Sequence, residues 1–279
     1  MSEQRVALVT GTSSGIGLHT AVGLAKQGLR VVATMRDPAK ADALRATAQA
    51  AGVETEVRAL DVTDAVAAQR CVAEVLAAHG SIDVLVNNAG RGHVGTLEQL
   101  TQEDLQGQLD VNYLAVARLT QLVLPAMRGA GRGRVVTVTS VGGVVGQPFA
   151  DAYCGAKFAV EGLMQALAPV AARVGVGISV VEPAAVGSEF VTNVDGSMDE
   201  RDPDDPYADL FAAYVRRTSG SYGAAQSSQD AAAVVVEAAT TTDPKFRWQT
   251  SASAVAFASL SLADLDGSRV LGQTADWLA

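Results

Sequence analysis

Two cysteines and three histidines in 279 residues leave little room for metal or disulfide chemistry. Cys71 and Cys154 lie far apart and in no metal-ligand spacing. Isolated thiols form no disulfide framework and suit a reducing cytosol. Cys154 sits beside Tyr153, so a reactive thiol has to be weighed; a small buried hydrophobe is the favoured reading. His19, His79 and His93 are scattered, with no HxxxH pair and no Cys/His cluster, so no metal centre is expected. The chain also lacks any run of 18 apolar residues, which excludes a membrane-spanning helix. Its first residues, MSEQRVALVTG, enter an apolar strand at once without a signal-peptide pattern, and a cytoplasmic protein is expected. Positive charge is in deficit: 21 Lys and Arg against 30 Asp and Glu give a net charge of −9. Such a chain repels nucleic acid and anionic membrane, so neither is an expected partner.

Apolar material is plentiful. Hydrophobic residues make up 48% of the chain and charged residues 18%, enough for a large core and without the signature of disorder. Seven short runs read as strands, at 5–10, 30–35, 55–62, 82–88, 133–140, 177–183 and 246–250. Most are continuous rather than alternating, the pattern of strands covered on both faces. Alanine-rich helical stretches separate them, at 15–28, 38–51, 64–79, 101–128, 151–174 and 228–241. This alternation predicts an α/β fold with a doubly wound, mostly parallel sheet of about seven strands. A single domain over 1–279 is expected. Residues 188–223 interrupt the rhythm and read as a lid insertion, with an acidic, proline-containing middle from Asp195 to Asp209 and then a short helix, YADLFAAYV. Residues 251–279 are moderately apolar with no clear period; they either pack on the body or border the substrate site.

The first strand runs straight into TGTSSGIG, residues 10–17. Gly11, Gly15 and Gly17 supply backbone freedom and close approach, Ser13 and Ser14 supply hydroxyls, and Ile16 opens the helix that follows. That helix offers free N–H groups and the positive end of its dipole to phosphates. Following a strand and preceding a helix in an alternating chain, the loop reads as a dinucleotide site.

The spacing is G-x-x-x-G-x-G. Together with NNAG at 87–90 and a serine, Ser140, followed by Y-x-x-x-K at 153–157, it resembles the short-chain dehydrogenase/reductase family, with the motifs in the family's order. The resemblance covers about residues 5–190. It implies a Rossmann-like fold and a nicotinamide cofactor. It further implies that Asp61 and Val62 meet the adenine edge, and that Asn88, Ala89 and Gly90 lie along the adenosine ribose. Where relatives show P-G-x-V-x-T, this chain has Pro183, Ala184, Ala185, Val186, Gly187 and Ser188. Pro183, Val186 and Ser188 are therefore expected at the nicotinamide carboxamide.

The second strand ends in Thr34, Met35, Arg36 and Asp37. In NAD-preferring relatives an acidic residue falls at about Met35, which cannot accept a ribose hydroxyl bond. Arg36 can pair with a 2′-phosphate. Asp37 is the rival, as a ribose ligand if the register shifts. A third reading has Arg36 and Asp37 simply opening the next helix, with Pro38 at its first position. NADP is favoured over NAD, because an arginine serves a phosphate bidentately.

Tyr153 and Lys157 are four apart, so on a helix both leave one face. A phenol is a poor base at neutral pH, and a nearby ammonium favours its phenolate. Tyr153 is thus expected as the acid/base that exchanges a proton with a carbonyl or alcohol oxygen. Lys157 tunes it and, by the resemblance, holds the nicotinamide ribose. Ser140 ends a strand, where ligands of α/β sheets sit, and is expected to orient the substrate oxygen. Alternation turns the side chain of its neighbour Thr139 the other way. Asn112 matches the family's asparagine, which holds a water linking the lysine to solvent.

Val144, Val145, Pro148 and Phe149, with Phe190, Val191, Tyr207, Phe211 and Tyr214 of the insertion, give the expected site apolar walls. Ser140, Val145, Phe149, Tyr153 and Phe190 are the expected substrate contacts. The stretches TSVGGVVGQPFADAYCGAKFAVEGL and VVATMRDP look like the hydroxysteroid and retinol dehydrogenase branch. That implies a hydrophobic ketone or secondary alcohol: steroid-, retinoid- or lipid-like. Helices 101–128 and 151–174 are apolar on more than one side and in this family pair across a two-fold axis, so a homodimer or homotetramer is expected. Two rival readings remain: a same-fold epimerase or dehydratase, and a non-catalytic NADP-sensing binding protein.

Overall fold

The computed structural model describes residues 4–187, 204–222, 225–266 and 268. Elements alternate from the start: β1 (Val6–Thr10), α1 (Gly15–Lys26), β2 (Arg30–Met35), α2 (Asp42–Ala50), β3 (Glu56–Ala59), α3 (Ala65–His79) and β4 (Val84–Asn87). Then come α4 (Gln102–Leu109), α5 (Ala115–Ala130), β5 (Gly133–Val138), α6 (Asp151–Ala172) and β6 (Val176–Glu182). The chain closes with β7 (Val186–Gly187), α7 (Ala208–Tyr222), β8 (Gln226–Ser227), α8 (Ser228–Thr240), β9 (Arg247–Gln249) and α9 (Ala252–Ala258).

Seven strands form one sheet in the order β3-β2-β1-β4-β5-β6-β9, and every pair is parallel. The doubly wound Rossmann-like α/β fold is therefore present. The strands read as unbroken apolar runs because both faces are covered. In β1 all five residues are buried. Val6 and Leu8 enter the core under α3, α5 and α6, while Ala7 and Val9 enter the core under α1, α2 and α8. The strand order reverses between β1 and β4. Ligands of such sheets bind beyond the carboxyl ends of the strands at that point.

Three boundaries differ from the sequence expectation. Residues 38–51 are not one helix: a 3-10 turn, Pro38–Lys40, precedes α2. Asp37 sets it by accepting the Ala39 N–H at 2.9 Å, with Pro38 at the first position. The strand expected at 55–62 stops at Ala59, because the Asp61 carboxylate accepts both the N–H and the hydroxyl of Thr63 (2.9 and 2.7 Å) and turns the chain. Residues 101–128 are interrupted by a π-helical turn, Asp110–Leu114, between α4 and α5. Such turns often mark functional sites.

The apolar side of α7 docks through Phe211, which packs with Val94 and Phe149. Its approach is tied by Gln99, donating to Asp205 at 2.9 Å, and by the Tyr207 hydroxyl, donating to Glu98. The described part of the carboxyl-terminal segment returns to the sheet edge, where Arg247 N–H donates to the Asp266 carbonyl and Gln249 to the Leu265 carbonyl. No described helix is long and apolar enough to cross a membrane.

Candidate active site

The glycine loop and the NNAG turn are built as one unit. Thr10 Oγ1 accepts the N–H groups of Asn88 and Ala89, each at 3.0 Å. The Asn88 amide donates back to the carbonyls of Thr10 and Gly11 at 2.9 and 3.0 Å. A Cβ on Gly17 would lie 2.2 Å from the Gly11 oxygen and 2.3 Å from Asn88 Nδ2, so α1 approaches the loop as only glycine permits. Gly11 is also at φ +69°. Ser14 precedes α1 in an extended conformation, its side chain does not cap the helix, and no acidic residue stands in the first turn. The helix therefore presents open N–H donors beside half-buried Ser13, Gly15 and Ile16. A tight loop ending on an uncapped helix start suits a pyrophosphate.

At the end of β2, Met35 is buried, and Arg36 and Asp37 are exposed. Asp37 is engaged as the cap of the 3-10 turn. Across from it, Asp61 is held below the usual carboxylate range by the Thr63 hydroxyl, by the Thr63 N–H and by the charge of Arg36. Val62 is buried, and its carbonyl accepts from Arg118 at 3.0 Å.

The side chains expected to handle a proton gather at the carboxyl edge of β5. Ser140 Oγ accepts the Gly142 N–H at 2.9 Å. A Cβ on Gly142 would be 3.3 Å from both Ser140 Oγ and Tyr153 Cε1, so the serine and the phenol ring converge over that glycine. Lys157, one turn later on α6, is 5% exposed; its ammonium donates to the Val138 carbonyl at 3.1 Å and sits 5.8 Å from the Tyr153 ring centre. Burial brings its pKa down to about 8, against the opposing pull of Glu161. Asn112 is buried in the π turn, donating to the Arg91 carbonyl and to Gln108 Oε1, each at 2.9 Å. Among the described residues its Oδ1 has no partner. The structure thus brings Asn112, Ser140, Tyr153 and Lys157 to one place.

Pro183 is buried after β6 and accepts the Val141 N–H at 3.0 Å. Val186 pairs with Gln226 in the short β7–β8 ribbon, which the sequence did not foretell. Ser188, Phe190 and Val191 lie outside the described residues. Val145 is half-buried, its N–H donating to the Val141 carbonyl at 2.9 Å. Phe149, at φ +58°, packs against Phe211 and Tyr214 with ring centres 5.3 Å away in each case, so it anchors α7. Burial pushes the Cys154 thiol up, as befits a buried hydrophobe.

Sequence reasoning missed a charged cluster behind the lysine. Glu161, Glu182 and Arg247 are all buried. Arg247 stands 3.1 Å from Glu182 and 3.5 Å from Glu161, as ion pairs rather than aligned hydrogen bonds. Thr139, facing away from Ser140 as expected, donates to Glu161 at 2.5 Å. Burial and the neighbouring Glu182 raise the Glu161 pKa. The available signal was spacing: Tyr153, Lys157 and Glu161 recur every four residues on one helix face.

A sheet that opens its switch point over a glycine loop, with a phenol and a buried ammonium at the adjoining strand edge, belongs to oxidoreductases that work with a nicotinamide dinucleotide. The short chain dehydrogenase family model matches residues 5–199. The chain is 38% identical over 275 residues to retinol dehydrogenase 8 of Homo sapiens, covering 95% of this chain and 87% of that protein. It is 38% identical over 276 residues to 17-beta-hydroxysteroid dehydrogenase type 1 of Homo sapiens, covering 94% and 82%. Among solved structures it matches a metagenomic short-chain oxidoreductase in complex with NADP (30% identity, TM-score 0.69, 88% and 96% covered). It also matches a short-chain dehydrogenase/reductase from Burkholderia phymatum in complex with NAD (27%, TM-score 0.79, 93% and 94%). This chain belongs to the short-chain dehydrogenase/reductase family, in its hydroxysteroid and retinol dehydrogenase branch.

Proposed function

We propose that the protein interconverts a hydrophobic ketone and its secondary alcohol, with a steroid-, retinoid- or lipid-like substrate and NADP in preference to NAD. The observation that carries this is the convergence of Ser140 and Tyr153 over Gly142, with the Lys157 ammonium buried beside the phenol. The bound nicotinamide supplies or accepts the hydride. Ser140 holds the substrate oxygen, and Tyr153 gives it a proton in reduction or removes one in oxidation. The Lys157 charge favours the phenolate and so eases that transfer in both directions. Asn112 links the lysine to solvent. The cofactor is held by the loop from Gly11 to Gly17 with Ser13 and Ser14, by Arg36, by Asp61 and Val62, by Asn88 to Gly90, and by Pro183, Val186 and Ser188.

Two observations support NADP: Arg36 is exposed at the end of β2, and Asp37 is committed to its own turn. The names of the relatives, retinol and hydroxysteroid dehydrogenases, support a hydrophobic substrate. We read the chain as one cytoplasmic domain with a lid over 188–223. Leu109, Leu114 and Phe158, 37–45% exposed on α4, the π turn and α6, support a homodimer or tetramer. The test is loss of reduced-cofactor absorbance with a panel of steroid ketones and retinoid carbonyls, using NADPH and NADH in parallel. The expected result is turnover favouring NADPH, with Arg36→Ala losing kcat/KM for NADPH and not for NADH. Equal loss with both cofactors contradicts the role of Arg36. No turnover of any carbonyl, or of the matching alcohols with oxidised cofactor, contradicts the substrate reading.

A further inference from the structure

We infer that Glu161 is a positioning residue for the proposed proton transfer: through Thr139 it fixes the end of β5, and with it Ser140, against the helix that carries Tyr153. The inference rests on the proposed roles of Ser140 and Tyr153. Two hydroxyls that hold one substrate oxygen have to keep a constant separation. Here they come from different elements, one just after β5 and one in α6. A displacement of about 1 Å is enough to slow a reaction strongly.

Two side-chain hydrogen bonds join the end of β5 to α6. Lys157 donates to the Val138 carbonyl at 3.1 Å, and one turn later Glu161 Oε1 accepts from the Thr139 hydroxyl at 2.5 Å. In the proposed mechanism Lys157 also holds the nicotinamide ribose, so the cofactor competes for its bond. Glu161 carries no such second duty. It is 4% exposed, a place where a carboxyl occurs only when it is paired. Its other oxygen stands 3.5 Å from Arg247, which stands 3.1 Å from Glu182, whose second oxygen accepts from Gln249 at 2.8 Å. Glu161 is thus braced by β6 and β9 while it takes the Thr139 bond. Thr139 is bound to the sheet as well: its N–H donates to the Val181 carbonyl at 2.8 Å, and its hydroxyl has that carbonyl at 3.1 Å as a second acceptor. The bond to Glu161 adds the tie to α6 that the sheet does not give. The turn after Ser140 lies against the same stretch of α6: a Cβ on Gly143 would be 2.9 Å from Glu161 Cγ and 3.1 Å from the Lys157 carbonyl oxygen.

The test compares Thr139→Val, Thr139→Ser, Glu161→Met and the double variant Thr139→Val with Glu161→Met. The readouts are kcat, KM and the NADPH dissociation constant, at a temperature where each variant is folded. Thr139→Val keeps the side-chain shape and the backbone bond to Val181, and it decides the matter alone if Glu161→Met does not fold. Thr139→Val and Glu161→Met are each expected to lower kcat about tenfold, within the range that misplaced supporting groups produce, with KM and NADPH affinity unchanged. Thr139→Ser, which keeps the hydroxyl, should turn over like the wild type. The double variant should be no slower than the slower single one. Wild-type kcat in Thr139→Val overturns the inference, and so does a Thr139→Ser as slow as Thr139→Val. Losses that multiply in the double variant give the two residues independent roles and also overturn it. All three outcomes spare the proposed function as long as Tyr153→Phe is slow; if Tyr153→Phe turns over normally, the underlying reading fails instead.

Discussion

Lys157 answers two opposed demands. In the proposed mechanism it is charged, to favour the Tyr153 phenolate, yet it is buried beside the ring. Burial has brought its pKa to about 8, so the charge is retained at neutral pH with a small margin. A lysine whose pKa is depressed on folding costs stability while it is charged. That cost is full below about pH 8 and fades as the pH rises toward the ordinary lysine value. Lys157→Met is therefore expected to raise the melting temperature of the cofactor-free protein at pH 7 by a few degrees, and the gain should shrink steadily up to about pH 10.5. Thermal melts across that range check it; a gain independent of pH would contradict the assignment. The same substitution should remove turnover, so stability and activity part company at this residue.

At the scale of elements, the proposed cofactor cradle depends on how closely α1 meets the turn after β4. Gly17→Ala would drive a Cβ into the Gly11 carbonyl and the Asn88 amide that ties the two turns together. The expected outcome is loss of NADPH binding, at least tenfold in dissociation constant by fluorescence titration, with a lower melting temperature. Binding at the wild-type level would contradict the cradle. This loop was legible in the sequence because its causes are local: glycines at fixed offsets between a strand and a helix. Tyr153 and Lys157 were legible for the same reason, since a spacing of four places them on one helix face. The π turn was not legible, because Asp110–Leu114 carries an ordinary helical pattern, and what distinguishes it is contact between Asn112 and the distant Arg91 carbonyl. The stop of β3 at Ala59 was missed because the Asp61 turn competes with an apolar run that reads as strand.

At the scale of the molecule, two consecutive elements and the distant last strand meet in the buried cluster of Glu161 on α6, Glu182 on β6 and Arg247 on β9. Glu161 leads to Lys157, Thr139 adjoins Ser140, and Glu182 adjoins Pro183, so the cluster braces three sides of the site at once. Its pairing was hidden from the sequence because Arg247 lies in the last strand of the sheet, far along the chain from both carboxylates. Arg247→Met takes the cation away from buried Glu182 and Glu161, whose carboxyl pKa values burial already raises, and should cost about 3–5 kcal/mol, read by urea unfolding at pH 7. A loss below about 1 kcal/mol would show that the cluster is not a closed ionic unit.

The central claim is that Tyr153 moves the proton that accompanies hydride transfer. Tyr153→Phe removes one oxygen and leaves the ring, the lysine and the cradle in place. The measurement is kcat of this variant beside its NADPH dissociation constant, on the carbonyl that the wild-type protein reduces fastest. The expected result is a fall in kcat of roughly 10²–10⁴-fold, the usual contribution of a positioned acid or base, with cofactor affinity unchanged. Turnover within a few-fold of wild type would contradict the account.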